Sequence, residues 1–127
     1  MTKFVTKDSA GNETEGLPSN LLSIATYAFY GCNKLEIDLI IPDTVTGIGT
    51  YCFYNNAKLK SLTIGKGMIS IPDYSFYNCA GLKEIEIPNT VTSIGYYSFA
   101  NCSGATTISI PDSVTSVGNS AFSSCRA

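Results

Sequence analysis

Phenylalanine returns along this chain at a fixed, long spacing: Phe53, Phe76, Phe99 and Phe122 are each 23 residues apart, and Phe29 precedes Phe53 by 24. Other apolar columns keep the same phase. Ile41, Ile64, Ile87 and Ile110 open successive units; Val45, Met68, Val91 and Val114 follow, then Ile48, Ile71, Ile94 and Val117, and Leu35, Leu59 and Leu82 make a further column. A unit this short cannot enclose a core, so it must coil against its neighbours and bury these columns as continuous ladders. Pro18, Leu21, Ile24 and Phe29 set an earlier copy at the 24-residue offset. The chain then divides into an N-terminal cap or tail, residues 1–16, and about five repeats at 17–40, 41–63, 64–86, 87–109 and an incomplete 110–127.

Within each unit the pattern indicates two extended pieces. Leu62-Thr63-Ile64, Ile85-Glu86-Ile87 and Ile108-Ser109-Ile110 alternate apolar and polar, as strands with one buried face do. Stacked copies of such strands form a parallel sheet. Pro42, Pro88 and Pro111 follow and end the ladder, since proline has no amide hydrogen. In the first repeat the alternation persists through Ile37-Asp38-Leu39-Ile40-Ile41, which puts the extra residue between Leu35 and Asp38. Val91-Thr92-Ser93-Ile94 reads as a second short strand, and the five residues ending at Phe99 as one helical turn. Gly49, Gly95 and Gly118 stand between those two pieces, where a positive φ is tolerated. The expected fold is an α/β repeat solenoid with a parallel sheet and short helical or 3-10 turns.

Composition narrows the chemistry. The chain has no histidine, which removes the commonest general base near neutral pH and the commonest metal ligand. Ordinary hydrolase chemistry is therefore not expected. Lys and Arg total 8 against 10 acidic residues, a net charge of -2, so the cationic field needed for nucleic acid or an anionic membrane is missing. No run approaches the roughly 18 apolar residues of a membrane span, and residues 1–16 carry no signal-peptide core. The five cysteines form no CxxC pair, which argues against a zinc site.

The recurring pattern IPxxVTxIGxxxFxxC resembles the BspA-like leucine-rich repeat, a 23-residue class of the leucine-rich repeat superfamily. Ile87, Pro88, Val91, Ile94, Gly95, Phe99 and Cys102 mark one complete copy, and Ile110, Pro111, Val114, Gly118, Phe122 and Cys125 mark the next. Three departures stand out: Asn56 in the cysteine column, Cys52 in the small-residue column, and Gly65 and Pro72 exchanged for proline and glycine in the third copy. The resemblance implies a right-handed leucine-rich-repeat superhelix, without catalytic, cofactor-binding or metal-binding residues. It further implies a secreted or surface-displayed protein-interaction module, adhesin-like, whose partner is a host or bacterial surface protein.

Two candidate surfaces follow. Outward positions of the sheet form the columns Asp38, Ser61, Glu84, Thr107 and Ile40, Thr63, Glu86, Ser109, the usual ligand face of the superfamily. Glu84 and Glu86 share that face, yet no third carboxylate converges on them, so a solvated strand is favoured over catalysis or calcium. Tyr27, Tyr51, Tyr74 and Tyr97 lie two residues before the phenylalanine column, and Tyr30, Tyr54 and Tyr77 one residue after it. These make two aromatic stripes, read first as stacking and alternatively as a protein or carbohydrate contact surface. Cys32, Cys79, Cys102 and Cys125 share one inward column and are expected to act as small apolar side chains. Residues 3–16, with Phe4 and Val5 before a turn at Asp8 to Asn12, are expected to close the first repeat as a strand or hairpin. The last coil has no such cover, which suggests fraying or self-association, and a structural spacer completes the set of readings.

Overall fold

The computed structural model describes residues 5–7, 10–11 and 13–126. Two strands, β1 (Val5–Lys7) and β2 (Glu13–Glu15), pair antiparallel with Val5 opposite Glu15, so the expected hairpin is present ahead of the repeats. Phe4, Asp8, Ser9 and Asn12 lie outside the described residues. Each repeat then contributes short strands: β3 (Ser23–Ile24) and β4 (Asp38–Ile40), β5 (Gly47–Ile48) and β6 (Ser61–Thr63), β7 (Ser70–Ile71) and β8 (Glu84–Glu86), β9 (Ser93–Ile94) and β10 (Thr107–Ser109), and finally β11 (Ser116–Val117). Strands of neighbouring repeats pair parallel and in register, Asp38 on Ser61, Glu84 on Thr107 and Ser70 on Ser93. The chain is a parallel-sheet solenoid, as its repeat length demands.

Its core is the set of ladders read from the spacing. Phe53, Phe76 and Phe99 are fully buried, with Leu35, Leu39, Ile41, Leu59, Met68, Ile71, Leu82 and Ile85 around them. The five phenylalanine rings form one file with centroid separations of 5.1, 5.4, 5.2 and 5.5 Å and planes within 9°. Ring contact of this kind adds about 0.5–1.5 kcal/mol per pair to what burial already contributes. Lys60 N–H donates to the Ile37 carbonyl while Leu35 and Leu59 fill equivalent buried places, so the extra residue of the first repeat falls at Glu36 or Ile37.

The turn before phenylalanine is not helical, and no helix occurs among the described residues. Tyr27, Tyr51, Tyr74 and Tyr97 have φ of 62, 58, 59 and 55°, and Asn55, Asn78 and Asn101 on the other side of phenylalanine have 63, 58 and 59°. A left-handed residue on each side forbids a right-handed helical run. The amide hydrogens go sideways instead. Tyr51, Phe53 and Asn55 donate to the carbonyls of Asp73, Ser75 and Tyr77 in the next repeat, at 3.2, 2.8 and 2.7 Å. The turn is thus itself a rung of a third ladder, satisfying backbone groups between repeats as a strand does.

Gly49, Gly95 and Gly118 do not adopt positive φ. They are required for close approach, because a Cβ would be driven into the backbone of Thr26, Pro72–Asp73 and Gly95–Tyr96 of the preceding repeat. Their N–H groups donate to the Ile24, Ile71 and Ile94 carbonyls at 2.8, 2.7 and 2.7 Å. In the third repeat this position is Pro72, which has no hydrogen to give. Neither β5 and β7 nor β6 and β8 are paired, so both strand ladders are interrupted between the second and third repeats. At the neighbouring corner Gly65 replaces proline, and the backbone closes onto the Ile41 and Pro42 carbonyls, with Lys66 N–H donating to Asp43 Oδ1 at 2.8 Å. That seam is held by rings and turn bonds.

Replacing Phe76 by alanine is expected to cost about 3–5 kcal/mol in urea denaturation, because it opens a gap in the middle of the ring file; a loss under about 1 kcal/mol would contradict the ladder. Pro72→Gly supplies the missing donor. Hydrogen exchange should then show a protected amide at position 72 and slower exchange across residues 60–71, with overall stability within about 1 kcal/mol of the parent.

Candidate functional site

The outward face of β4, β6, β8 and β10 presents the eight residues expected of it. Leu39, Leu62 and Ile85 are buried, at 1%, 8% and 1% exposure, while Asp38, Ile40, Ser61, Thr63, Glu84, Glu86, Thr107 and Ser109 are all exposed. In-register pairing brings the columns together: Ser61 Oγ donates to Asp38 Oδ1 at 2.8 Å across the repeats. Ile40 stands 60% exposed among these polar groups, an apolar point on a hydrophilic sheet. A shallow open groove of about 530 Å³ runs beside the strand ends, lined by Thr63, Lys66, Glu86, Asn89, Ser109 and Ile110. Backbone pairing preforms its β8 and β10 side, while Thr63 and Lys66 stand across the unpaired seam. Lys58 and Glu36 pair at 3.7 Å on exposed side chains, worth about 0–1 kcal/mol. Among the described residues no three His, Cys, Asp or Glu side chains converge on a metal-sized position.

The tyrosines form two columns in contact. Along the first, Tyr27, Tyr51, Tyr74 and Tyr97 are separated by 5.0, 4.7 and 5.1 Å; along the second, Tyr30, Tyr54 and Tyr77 are separated by 4.8 and 4.8 Å. Planes within each column agree within 14°, while rings of opposite columns tilt by 43 to 59°. The ring faces on which a sugar would stack are therefore turned towards other tyrosines, leaving edges and hydroxyls outward. Packing first, and then the like charge of neighbouring phenolates, pushes the Tyr54 and Tyr74 phenols upward. Alongside runs a polar row in which Asn78 Nδ2 donates to Asn55 Oδ1 and Asn101 Nδ2 to the Tyr77 hydroxyl.

The cysteine column does more than fill space. Cys79, Cys102 and Cys125 thiols donate to the carbonyls of Phe53, Phe76 and Phe99 of the preceding repeat at 3.5, 3.4 and 3.1 Å. Asn56 fills the same role, its amide donating to the Phe29 carbonyl at 2.8 Å, although its Oδ1 is buried without a partner. The common feature of cysteine and asparagine here is a donor, a signal present in the sequence but masked by counting cysteine as apolar. All five thiols are unbridged. Burial pushes Cys52 and Cys79 up to about 12. Cys102 is raised, first by its contact with the Cys125 sulfur and then by burial, and the same contact lowers Cys125 below the ordinary thiol range.

Comparison with known proteins adds to this geometry. A family profile described as the BspA type leucine rich repeat region matches residues 9–127 with six copies. No curated protein sequence matches the chain closely enough to count as a relative. Among solved structures, a leucine-rich repeat protein of T. pallidum is 26% identical over 98% of this chain and 65% of its own, with a TM-score of 0.80. A leucine-rich cell surface protein of Faecalibacterium prausnitzii A2-165 is 31% identical over 97% of this chain and 35% of its own, at 0.81. A Bacteroides ovatus leucine-rich repeat protein is 30% identical over 95% of this chain and 36% of its own, at 0.61. The chain thus spans 65% of the first of these proteins and about a third of the other two.

Alkylation of the native protein with iodoacetamide should mark Cys125 at a lower pH than an ordinary thiol requires, because its thiolate forms more readily. Cys52, Cys79 and Cys102 should react only after unfolding. Preferential labelling of Cys102 in the folded state would refute this ordering.

Proposed function

Since this chain belongs to the BspA-type leucine-rich repeat family, whose repeats generally serve as protein-interaction modules, we propose that it is a non-enzymatic binding module that engages a protein partner outside the cell. The observation that carries this reading is the outward sheet face, where Ile40 lies 60% exposed beside Asp38 and Thr63 on strands β4 and β6, fixed to each other by parallel pairing, with Glu86 on the same face of β8. An exposed aliphatic group ringed by hydroxyls and carboxylates on a rigid surface is the composition of an interface centre with a polar rim. Placement outside the cell rests on the F. prausnitzii protein, described as a cell surface protein, and on the family. The partner class is a host or bacterial surface protein, with affinity spread over several repeats. Carbohydrate recognition by the tyrosine columns has less support, because the stacked faces are occupied by neighbouring rings.

Immobilised protein screened against an array of extracellular proteins, and in parallel against a glycan array, tests the reading. The variant combining Asp38→Ala, Ile40→Ser, Thr63→Ala and Glu86→Ala should weaken the recovered partner at least about tenfold, the loss expected when an interface centre is removed, with the fold unchanged by circular dichroism. Undiminished binding by that variant, with loss in a Tyr51→Ala, Tyr74→Ala variant, would move the site to the tyrosines. Hits on glycans alone would replace the protein partner, and no hits in either array would favour a spacer or self-association.

A further inference from the structure

Seven phenols held in register are an unusual concentration of one-electron donors, and nothing in a binding role uses their redox chemistry. We propose that the tyrosine columns are a site of oxidative cross-linking, in which a haem-peroxidase-class oxidant and hydrogen peroxide join tyrosines of adjacent repeats through dityrosine bonds. Tyr51 and Tyr74 have centroids 4.7 Å apart and planes within 4°, and Tyr54 and Tyr77 are 4.8 Å apart within 6°. Rings related by the repeat are near-translational copies, so each carbon ortho to a hydroxyl faces its counterpart at about the centroid distance.

In the reaction each of two phenols gives up one electron and its proton, and spin settles partly on the ortho carbons. Those two carbons join, and the hydrogens they carried shift to the oxygens, restoring both phenols. Overall, two phenols and one hydrogen peroxide give one biaryl and two waters. Holding the second ring beside the first replaces a bimolecular encounter by an intramolecular one. Entry is open, since Tyr27, Tyr30 and Tyr97 are 54%, 50% and 37% exposed.

The location gives the bond a consequence. Tyr51–Tyr74 and Tyr54–Tyr77 both span the second and third repeats, the place where neither strand ladder is paired. A dityrosine there ties the seam covalently on its third side. Tyr96 provides an internal comparison: it is 52% exposed but has no ring neighbour among the described residues.

The test treats the full chain with a haem peroxidase and limiting hydrogen peroxide, and reads dityrosine fluorescence, intact mass, denaturing gels and cross-linked peptides. The expected product is monomeric, lighter by two hydrogen atoms per bond, and bridged at Tyr51–Tyr74 or Tyr54–Tyr77. A Tyr51→Phe, Tyr54→Phe variant keeps both rings but should lose the seam-spanning products, whereas Tyr96→Phe should leave the yield unchanged. Urea-unfolded chain should give intramolecular product at a yield at least about tenfold lower. Mainly intermolecular products through Tyr96, or equal intramolecular yields from folded and unfolded chain, would overturn the proposal. If the double variant fails to fold, Tyr96→Phe and the unfolded control still decide between these outcomes.

Discussion

Lateral contact between like groups of successive repeats sustains every part of this solenoid. Each repeat leaves its backbone donors and its apolar side chains unsatisfied, and only the next copy, in register, can meet both. Phenylalanine stacks on phenylalanine, tyrosine on tyrosine, and the amides of Tyr51, Phe53 and Asn55 reach the carbonyls of the following repeat. Burial drives the stacking, but it is the hydrogen-bond register that fixes which side chains meet. A shift of one residue would turn the sheet's polar face inward, so the alternation along β4, β6, β8 and β10 protects the register as well as the core.

The third side shows how far that constraint reaches. Tyrosine and asparagine carry positive φ there, a conformation costing roughly 1–2 kcal/mol per residue for most side chains. The cost is offset because the left-handed residues swing three amides sideways onto the next repeat, and because the rings so placed stack. Cysteine and asparagine then close the account of that turn from inside, by donating to the phenylalanine carbonyls. Where the pattern changes, at Gly65 and Pro72, the strand bonds are lost but the turn and the rings persist, which separates the contributions of the two ladders.

The outward sheet face and the tyrosine columns have opposite characters. On the sheet, exposed side chains project into solvent and differ from repeat to repeat; on the turn, the aromatic faces are spent on neighbours and mainly edges remain. A partner would read the first by its sequence of side chains, while the second offers the same group repeatedly at one spacing. That difference is why we propose recognition by the sheet and, for the tyrosines, a chemistry that depends on repetition.

The file of phenylalanines, the strands, the hairpin and both tyrosine stripes were legible from the chain, because a period of 23 residues and a period of two each follow from which side chains must be buried. The helical turn was misread: three-residue spacing of Tyr51 and Tyr54 suits a helix, and handedness at a tyrosine leaves no mark in composition. The glycines were recognised as special for the wrong reason, since the neighbouring repeat that crowds them is 23 residues away. Thiols donating to carbonyls and the unpaired seam likewise exist only between repeats, whereas the stacking of the tyrosines was already the first reading of their stripes. Periodicity determined that the copies stack; the distances and directions at which their atoms meet were decided by the folded chain, where backbone bonds between copies set the register.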